Sequence, residues 1–387
     1  MFNRAALSGF CAMLIGIGLG RFAYTPLIPA LIQDGWLSPA AAAYLGAANL
    51  AGYLAGALLG RGFATLIGDV PRALRAAMVA CAVSLAACAI PAGLLWLTPW
   101  RFLAGFSGAT LMVLAGPAIL GATPPERRGR VGGLIYAGIG TGVAVSGTAM
   151  PFLVGFGLST AWLCLGAAAA VLTAVAWTGW PADATPPANS SVRIPRIGWA
   201  VVPLLAAYAC DGIGFVPHTL FWVDFLAREL GLGLPVGGFN WGLFGLGAVF
   251  GPLVAGWLAD RLGFKLAWSG ALALKAAAVI LPVIWVSGPT LALSSIVVGA
   301  LTPGMVVLAA GRIVELVDPA SRSRVWSLMT AAFALAQAGA GYGMTAVVSV
   351  THSYVPLFIA GALALLLGSI LSGLSPTRSP ANCAPRI

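Results

Sequence analysis

The sequence predicts an all-α integral membrane protein, with twelve transmembrane helices arranged as two pseudo-symmetric six-helix bundles and with both termini in the cytoplasm. The first observation behind this prediction is composition: of 387 residues, 60% are hydrophobic and 8% are charged, which is typical of a polytopic membrane protein. The second is the division of the apolar residues into twelve segments. The third is a repeat that relates the two halves of the chain.

Each apolar segment is long enough to cross a ~30 Å hydrocarbon layer as a helix, because a helix rises ~1.5 Å per residue. Turn-forming pairs such as Asp34-Gly35 and Gly288-Pro289 separate neighbouring segments. The segments span residues 5–32, 39–60, 72–95, 97–121, 130–154, 158–180, 199–226, 236–258, 265–287, 290–315, 325–350 and 354–374.

A sustained polar stretch, Pro181–Arg196, separates the sixth segment from the seventh and is interpreted as a linker. The predicted organisation is therefore an N-terminal bundle (1–180), a cytoplasmic linker (181–198), a C-terminal bundle (199–375) and a cytoplasmic tail (376–387). Arginine and lysine concentrate in the linker, at the termini and in alternate loops, which places these in the cytoplasm and the protein in the cell inner (plasma) membrane.

The repeat consists of small and basic residues at a nearly constant offset. A set of glycine and alanine positions recurs at an offset of 195 (247 − 52), and an Arg-x-Arg-Val string recurs at 194 (324 − 130). These offsets indicate two equivalent six-helix units with a binding site between them. The matched positions are Gly52, Gly56, Ala64 and Gly68 with Gly247, Gly251, Ala259 and Gly263, and Arg128 and Arg130 with Arg322 and Arg324.

Arg21 lies deep in the first apolar segment, ~24 Å along the helix axis from Ala5 at ~1.5 Å per residue. A charge at that depth costs on the order of 3 kcal/mol on insertion scales, so it indicates a functional site with a cavity or a partner. Pro26 and Pro29 leave backbone carbonyls without an intrahelical donor nearby. We therefore expect Arg21 to face a water-accessible chamber.

The seventh segment places Asp211 near mid-membrane, with His218 two turns further along the same helix face. Two roles are open for Asp211: a proton carrier, or a permanent structural pair with Arg21. His218 is either a proton relay that also contacts substrate or a hydrogen-bonded helix histidine. Lys275, also within a segment, is interpreted as paired or snorkelling to the interface. At the outer end of the seventh segment, Asp224 and Glu229 are expected to be solvated.

The string Gly256-Trp-Leu-Ala-Asp260-Arg261-Leu-Gly263-Phe-Lys265, between the eighth and ninth segments, resembles the G-x-x-x-D-R-x-G-x-K/R signature of the major facilitator superfamily. The stretches Arg21-Phe-Ala-Tyr-Thr-Pro-Leu and Gly214-Phe-Val-Pro-His218-Thr-Leu-Phe-Trp222 are similar to those of the YbfB/YjiJ-type branch. The resemblance covers essentially the whole chain and implies the major facilitator fold and a transporter function, without naming a substrate.

In that superfamily the signature aspartate closes the inner gate, so the resemblance implies gating by Asp260, Arg261, Arg130, Gly256 and Gly263. The alternative is a loop ion pair that only fixes topology. In the N-terminal copy of the signature Thr65 stands where the aspartate is expected, and Asp69 follows four positions on. That departure predicts a weaker or displaced latch in the first half.

Two further patterns resemble family motifs. Arg101-Phe-Leu-Ala-Gly105-Phe-Ser-Gly108-Ala is similar to a pattern linked to proton transfer, although Arg101 is also placed to snorkel to the outer interface. Gly138-Ile-Gly-Thr-Gly142-Val-Ala-Val-Ser146-Gly147 resembles an antiporter pattern but has Val143 in place of its proline. This partial match favours export over uptake.

The sequence thus predicts a secondary transporter of a small organic solute, with an anionic or polar group at Arg21, driven by protons through alternating access. A proton-coupled uptake symporter is the alternative, followed by an intramembrane serine protease that uses Ser107 in Gly105-Phe-Ser-Gly108. The predicted substrate-binding residues are Arg21, Tyr24, Arg101, His218, Asn240, Trp241 and Gln337, and the predicted proton-coupling residues are Asp211, His218 and Arg101.

The expected partners are the solute, protons and the lipid bilayer, and the expected oligomeric state is a monomer. No metal site, cofactor or ATP-binding loop is expected, because the sequence has no C-x-x-C, H-E-x-x-H or G-x-x-x-x-G-K-[ST] string. The net charge of +10 is spread over single basic residues between apolar segments, so nucleic acid is not expected as a partner.

Overall fold

The computed structural model describes residues 4–124, 127–181, 201–317 and 319–376, and in these ranges the regular secondary structure is helical throughout. Eleven helices are long and apolar enough to cross a membrane. Nearly all of the predicted linker and of the predicted C-terminal tail lies outside the described residues. The helices are α1 Arg4–Gln33, α2 Pro39–Ile67, α3 Val70–Ala87, α4 Gly93–Gly121, α5 Arg128–Val154, α6 Leu158–Ala176, α7 Val202–Glu229, α8 Gly233–Ile284, α9 Gly288–Leu316, α10 Pro319–Thr351 and α11 Val355–Leu374.

The count differs from the predicted twelve because the eighth and ninth segments form one 52-residue helix, α8. At ~1.5 Å per residue such a helix measures ~78 Å, more than twice the ~30 Å hydrocarbon layer. Gly263 interrupts α8 with φ 76° and ψ 153°, a conformation that is readily open to glycine alone. This break lies between the two predicted segments, within the sequence that resembles the family signature.

Besides α8 with its break at Gly263, α1 and α7 depart from regular α-helical geometry, and they carry Arg21, Asp211 and His218 of the predicted site. In α1 a π-helical stretch, Leu14–Leu19, is followed by a 3₁₀ stretch, Phe22–Leu27. In α7 two π-helical turns, Pro217–Phe221 and Phe225–Glu229, flank a short α-helical piece. Such changes of helix type mark functional positions, because they leave backbone carbonyls free for side chains or ligands.

Helices α1 to α6 pack mainly on one another, as do α7 to α11, and the closest contacts repeat between the two groups. A Cβ atom built on Gly105 of α4 would lie 2.0 Å from the Asn49 carbonyl oxygen of α2. The equivalent Gly299 of α9 lies against Phe244 of α8, with the corresponding distance 2.1 Å. Small residues therefore allow the same close helix crossing in both halves, at the offsets found in the sequence.

Arg4, Arg130 and Asp260 lie at one end of the helices, called here the arginine-rich face. The two groups touch in the half of each helix that lies away from this face. Along α5 and α8, a Cβ on Gly147 would lie 2.4 Å from the Gly242 nitrogen. Between α2 and α10, the rings of Tyr44 and Tyr342 have centroids 6.4 Å apart. The two groups are thus in close contact toward the opposite face.

The substitution Gly105→Ala is expected to lower thermal stability, because the new methyl group meets a backbone carbonyl inside one group of helices. Overpacking of this kind costs about 1–3 kcal/mol. The measurement is the melting temperature of the detergent-purified protein. Gly270→Ala is the matched control, since a Cβ atom there meets nothing within 4 Å, and an equal melting temperature for both variants would contradict the packing interpretation.

Candidate functional site

A cavity lies between the two groups of helices, lined by residues of α1, α2, α4 and α7. Its volume is about 10 Å³, room for about one water molecule. The hydroxyl of Thr25 on α1 donates a hydrogen bond of 2.6 Å to the carbonyl of its counterpart Thr219 on α7, 194 residues away. This contact joins equivalent positions of the repeat directly. The lining residues are Arg21, Tyr24, Thr25, Gly46, Asn49, Leu50, Arg101, Thr219 and Leu220.

Arg101 is 1% exposed and lies in the cavity wall, so it does not snorkel to the interface. Its Nη1 donates to the Gly20 carbonyl at 2.9 Å, and its guanidinium carbon lies 4.5 Å from the ring centroid of Tyr24. The Asn49 amide donates to the same Gly20 carbonyl at 3.3 Å. Gly20 sits where α1 changes from the π-helical to the 3₁₀ stretch, so the irregular backbone supplies the acceptor that orients Arg101.

Arg21 is buried in the same wall, as predicted, but an aromatic cage holds it and no carboxylate does. Its guanidinium carbon lies 4.9 Å from the ring centroid of Phe22, 5.1 Å from that of Tyr53 and 5.2 Å from that of Phe215. Among the described residues, its Nη2 has no hydrogen-bond partner. Aromatic faces attract a cation without neutralising it, so Arg21 keeps a positive charge and a free donor at the cavity.

The acidic residues of the described chain do not compensate these two arginines. Asp211 pairs with Lys275, Asp224 with Arg228, Glu315 with Arg312 and Asp69 with Arg72. Within the described ranges, no acidic side chain lines the cavity. Two buried guanidinium groups, each with a nitrogen that lacks a partner, therefore face one small space without a counter-ion.

Asp211 forms an ion pair with Lys275 and not with Arg21, which corrects the expected structural partner. The Lys275 Nζ lies 2.7 Å from the Asp211 Oδ1, and both side chains are almost completely buried. Of the two alternatives predicted for Lys275, pairing and snorkelling, the structure shows pairing. Phe215 lies between the two charge centres, with its centroid 5.4 Å from the Lys275 Nζ and 5.2 Å from the Arg21 guanidinium carbon.

His218 is fully buried and hydrogen-bonded, with Nε2 at 2.8 Å from the Ser294 hydroxyl. That hydroxyl donates its single proton to the Ala278 carbonyl at 2.6 Å, so His218 must be the donor in the shared bond. The imidazole is therefore protonated on Nε2, and its Nδ1 has no partner. Its ring stacks on Trp222 at 4.3 Å and is not part of the cavity wall.

Three more of the predicted substrate-binding residues lie outside the cavity wall in this conformation. Asn240 donates to the Val236 carbonyl and accepts from the Ser295 hydroxyl. Trp241 bridges the two groups, since its indole nitrogen lies 3.2 Å from the Ser146 hydroxyl. Gln337 is fully buried, and neither polar atom of its side chain has a partner.

The predicted gating residues lie at the arginine-rich face. Asp260 and Arg130 are both exposed, and neither belongs to an ion pair within the described part of the chain. Arg261 instead covers the Trp257 ring, with its guanidinium carbon 4.0 Å from the centroid. In the first half, Asp69 caps α3 by accepting from the Arg72 amide at 2.6 Å.

The expectation that Asp224 and Glu229 are solvated is wrong for Asp224. Asp224 is fully buried and binds the Arg228 guanidinium and the Tyr354 hydroxyl. Glu229, although exposed, accepts from the Tyr354 amide at 2.6 Å. Both carboxylates tie the end of α7 to the turn before α11. Burial and the Asp224 carboxylate raise the pKa of Tyr354, so its hydroxyl stays protonated as the donor.

The substitution Tyr354→Phe removes this donor and is expected to lower stability by about 1.5–3 kcal/mol, the usual range for a hydrogen bond to a charged group. The readout is the melting temperature at pH 7. Because the pKa of Tyr354 is raised, the contribution of its hydroxyl to folding stability should persist at neutral and mildly alkaline pH. It should be lost only as pH rises toward that raised pKa. Loss of the difference between wild type and variant already at pH 8 would contradict this assignment.

Ser107, proposed above as a possible protease nucleophile, is 1% exposed, and its hydroxyl has no hydrogen-bond partner. His218 is engaged with Ser294, and His352 is exposed in the turn after α10. A serine nucleophile needs a base within hydrogen-bond reach. The arrangement gives Ser107 no such base.

Comparison with known proteins agrees with this architecture. The family model described as "Uncharacterised MFS-type transporter YbfB" matches residues 13–373. The chain therefore belongs to this family of major facilitator superfamily transporters. Its family and structural neighbours are transporters, and they indicate no catalytic function. No curated protein matched the sequence.

Solved structures share the fold at low sequence identity. A bacterial homolog of the human lysosomal transporter Spinster, in an inward-facing and occupied conformation, is 16% identical with a TM-score of 0.71, over 97% of this chain and 98% of that one. The D-xylose-proton symporter is 17% identical with a TM-score of 0.74, over the same shares of the two chains. These similarities establish a membrane-spanning major facilitator fold.

Proposed function

We propose that the protein is a secondary active transporter of small organic anions, which bind between its two halves at Arg21 and Arg101 when the halves move apart and widen the cavity. The observation that carries this proposal is the pair of buried guanidinium groups without an acidic partner among the described residues. A bound anion supplies the missing counter-charge and accepts the free N–H groups, which lowers the cost of burying both arginines. Tyr24, Thr25 and Asn49 complete the wall, and because their donors are engaged with backbone carbonyls, the anion is held by the two arginines.

Transport proceeds by alternating access, with the two halves rocking about the central cavity. The break at Gly263 divides α8 into two membrane crossings, which makes twelve in all, and the positive-inside rule puts the arginine-rich face in the cytoplasm of the inner membrane. The conformation described here is then closed on the outer side. Exposed Asp260 and Arg130 are separated gate residues that meet when the cytoplasmic side closes.

A proton gradient drives the cycle in this proposal, with Asp211 as the group that binds and releases the proton. Its burial at mid-membrane supports this role. Export is the preferred direction because of the partial antiporter string in α5. Uptake by symport is the second candidate, and the proton symporter among the structural neighbours favours it.

The experiment is a thermal-shift screen of the purified protein against organic acids, each paired with its neutral amide. A ligand that binds the folded state stabilises it by mass action, by ~2.7 kcal/mol at a hundred times its dissociation constant. We expect acids to raise the melting temperature and their amides to leave it unchanged. Equal stabilisation by acid and amide would refute an anion site.

A further inference from the structure

The buried Asp211–Lys275 pair is the largest feature that the anion site leaves unexplained. It joins α7 to the part of α8 that follows Gly263, and both side chains are almost completely inaccessible. Removing two charges from water is costly, and an apolar pair of similar volume is often as stable. The pair therefore needs a reason other than stability.

The repeat supplies a direct comparison. At an offset of 194 or 195, Lys275 corresponds to Cys81 or Ala80, and Asp211 to Ile17 or Gly16. In the first half, the Cys81 thiol lies 3.6 Å from the Ile15 carbonyl, and no charged group takes part. The same helix arrangement thus folds without an ion pair, so the pair is not a requirement of the architecture.

Geometry connects the pair to the closed side of the cavity. Asp211 lies eight residues before Thr219, on the helix that carries the π-helical turn Pro217–Phe221. Thr219 and Leu220 of this turn form part of the cavity wall, and Thr219 accepts the hydrogen bond from Thr25. The pair with Lys275 therefore fixes the position of the helix whose next two turns close the site.

We propose that the Asp211–Lys275 pair is the proton-binding switch of the transporter, with Lys275 and not Arg21 as the partner of Asp211. A proton binds the Asp211 carboxylate and converts it to a neutral acid, and the Lys275 ammonium loses its counter-ion. The α7 helix is then free to shift, and the outer side opens. This inference rests on the proposed transport function, and it leaves Arg21 available to the anion.

Other titratable groups near the pair are possible sources of a pH response, and the test must separate them. Helices α10 and α11 pack against this part of α7 with residues such as Phe333 and Leu365. The remaining groups are Tyr208, Cys210 and His218 on α7, Arg21 on α1 and Tyr53 on α2.

The experiment measures the distance between spin labels at Gln33→Cys and Leu232→Cys, on opposite halves at the outer face, in nanodiscs of a variant without native cysteines. For this reference protein we expect the distance to lengthen as pH falls from 9 to 5. Asp211→Asn with Lys275→Gln should abolish the change. His218→Gln should retain it, and so should Arg21→Ala even though anion binding is lost.

A pH response that survives neutralisation of both partners, or that disappears in His218→Gln, would overturn the proposal, as would its absence in the reference protein. Asp211→Leu with Lys275→Met provides a second charge-free pair of similar volume if the polar pair does not fold. This experiment varies only the pH and measures only the distance between the spin labels. Its failure can therefore be distinguished from failure of the anion screen, which reports on Arg21 and Arg101.

Discussion

Arg21→Met is expected to abolish anion binding and, at the same time, to raise the melting temperature of the ligand-free protein. Truncating a buried charge that meets an opposite charge typically costs 2–5 kcal/mol of binding, which is about 30- to 4,000-fold in affinity at ~1.4 kcal/mol per tenfold. The free energy of unfolding of the ligand-free protein should increase, because Arg21 buries an Nη2 without a partner among the described residues. That costs about 1–3 kcal/mol, and methionine removes this cost. Thermal-shift titration with an acid from the screen measures both effects.

The control for this prediction is Arg75→Ala. Arg75 also packs on an aromatic ring, with its guanidinium carbon 5.5 Å from the Trp177 centroid, but it lies outside the cavity. We expect unchanged anion affinity in this variant. Arg21→Lys keeps the charge but loses the two-pronged donor geometry, so its affinity should be intermediate. Equal affinity of Arg21→Met and wild type would exclude Arg21 from the site.

Gly147→Ala is expected to shift the protein toward the conformation that is open on the outer side. The added Cβ atom would lie 2.4 Å from the Gly242 nitrogen and 2.7 Å from the Gly238 oxygen, both on the other half. In the proposed transport cycle this clash exists only when the outer side is closed, because rocking would separate α5 from α8. An overpacking cost of about 1–3 kcal/mol corresponds to a five- to 150-fold change in the ratio of the two states.

The measurement is the labelling rate of a cysteine at Tyr44 with a membrane-impermeant maleimide, in a background without native cysteines. Tyr44 is 37% exposed and its ring lies 6.4 Å from that of Tyr342 on the other half, so separation of the two halves should accelerate its labelling in Gly147→Ala. Gly105→Ala clashes within one half and should lower stability without this acceleration. If the two glycine variants label equally fast, the α5–α8 contact does not govern opening.

Much of the fold follows from the sequence because the two halves of the repeat indicate the same arrangement of helices. An offset of 195 (247 − 52) relates Gly52 to Gly247, and an offset of 194 (299 − 105) relates the close helix crossings seen at Gly105 and Gly299. Burial of Arg21 follows from its depth in an apolar segment, since a charge there requires an enclosed environment. Hydropathy does not predict that α8 continues through Gly263, because the residues around Gly263 have the same hydropathy whether they form a helix or a turn.

The partners of the charged residues were less predictable, since depth along a helix does not determine the direction a side chain faces. Asp211 and Arg21 lie at similar depths, yet Asp211 meets Lys275 from α8. Asp224 was expected in solvent because it lies near a helix end, but π-helical turns rotate it onto Tyr354, 130 residues away. Both outcomes depend on local helix geometry that a periodicity of 3.6 does not describe.

The most direct test of the central claim, an anion carried through the Arg21–Arg101 cavity, is counterflow in proteoliposomes. Vesicles loaded with an unlabelled acid from the thermal-shift screen are diluted into the same acid carrying a radiolabel. We predict transient accumulation of label by the wild type and none by Arg21→Met or in protein-free vesicles. Binding of the acid by wild type without any counterflow would contradict the account, because the cavity would then be a static binding site.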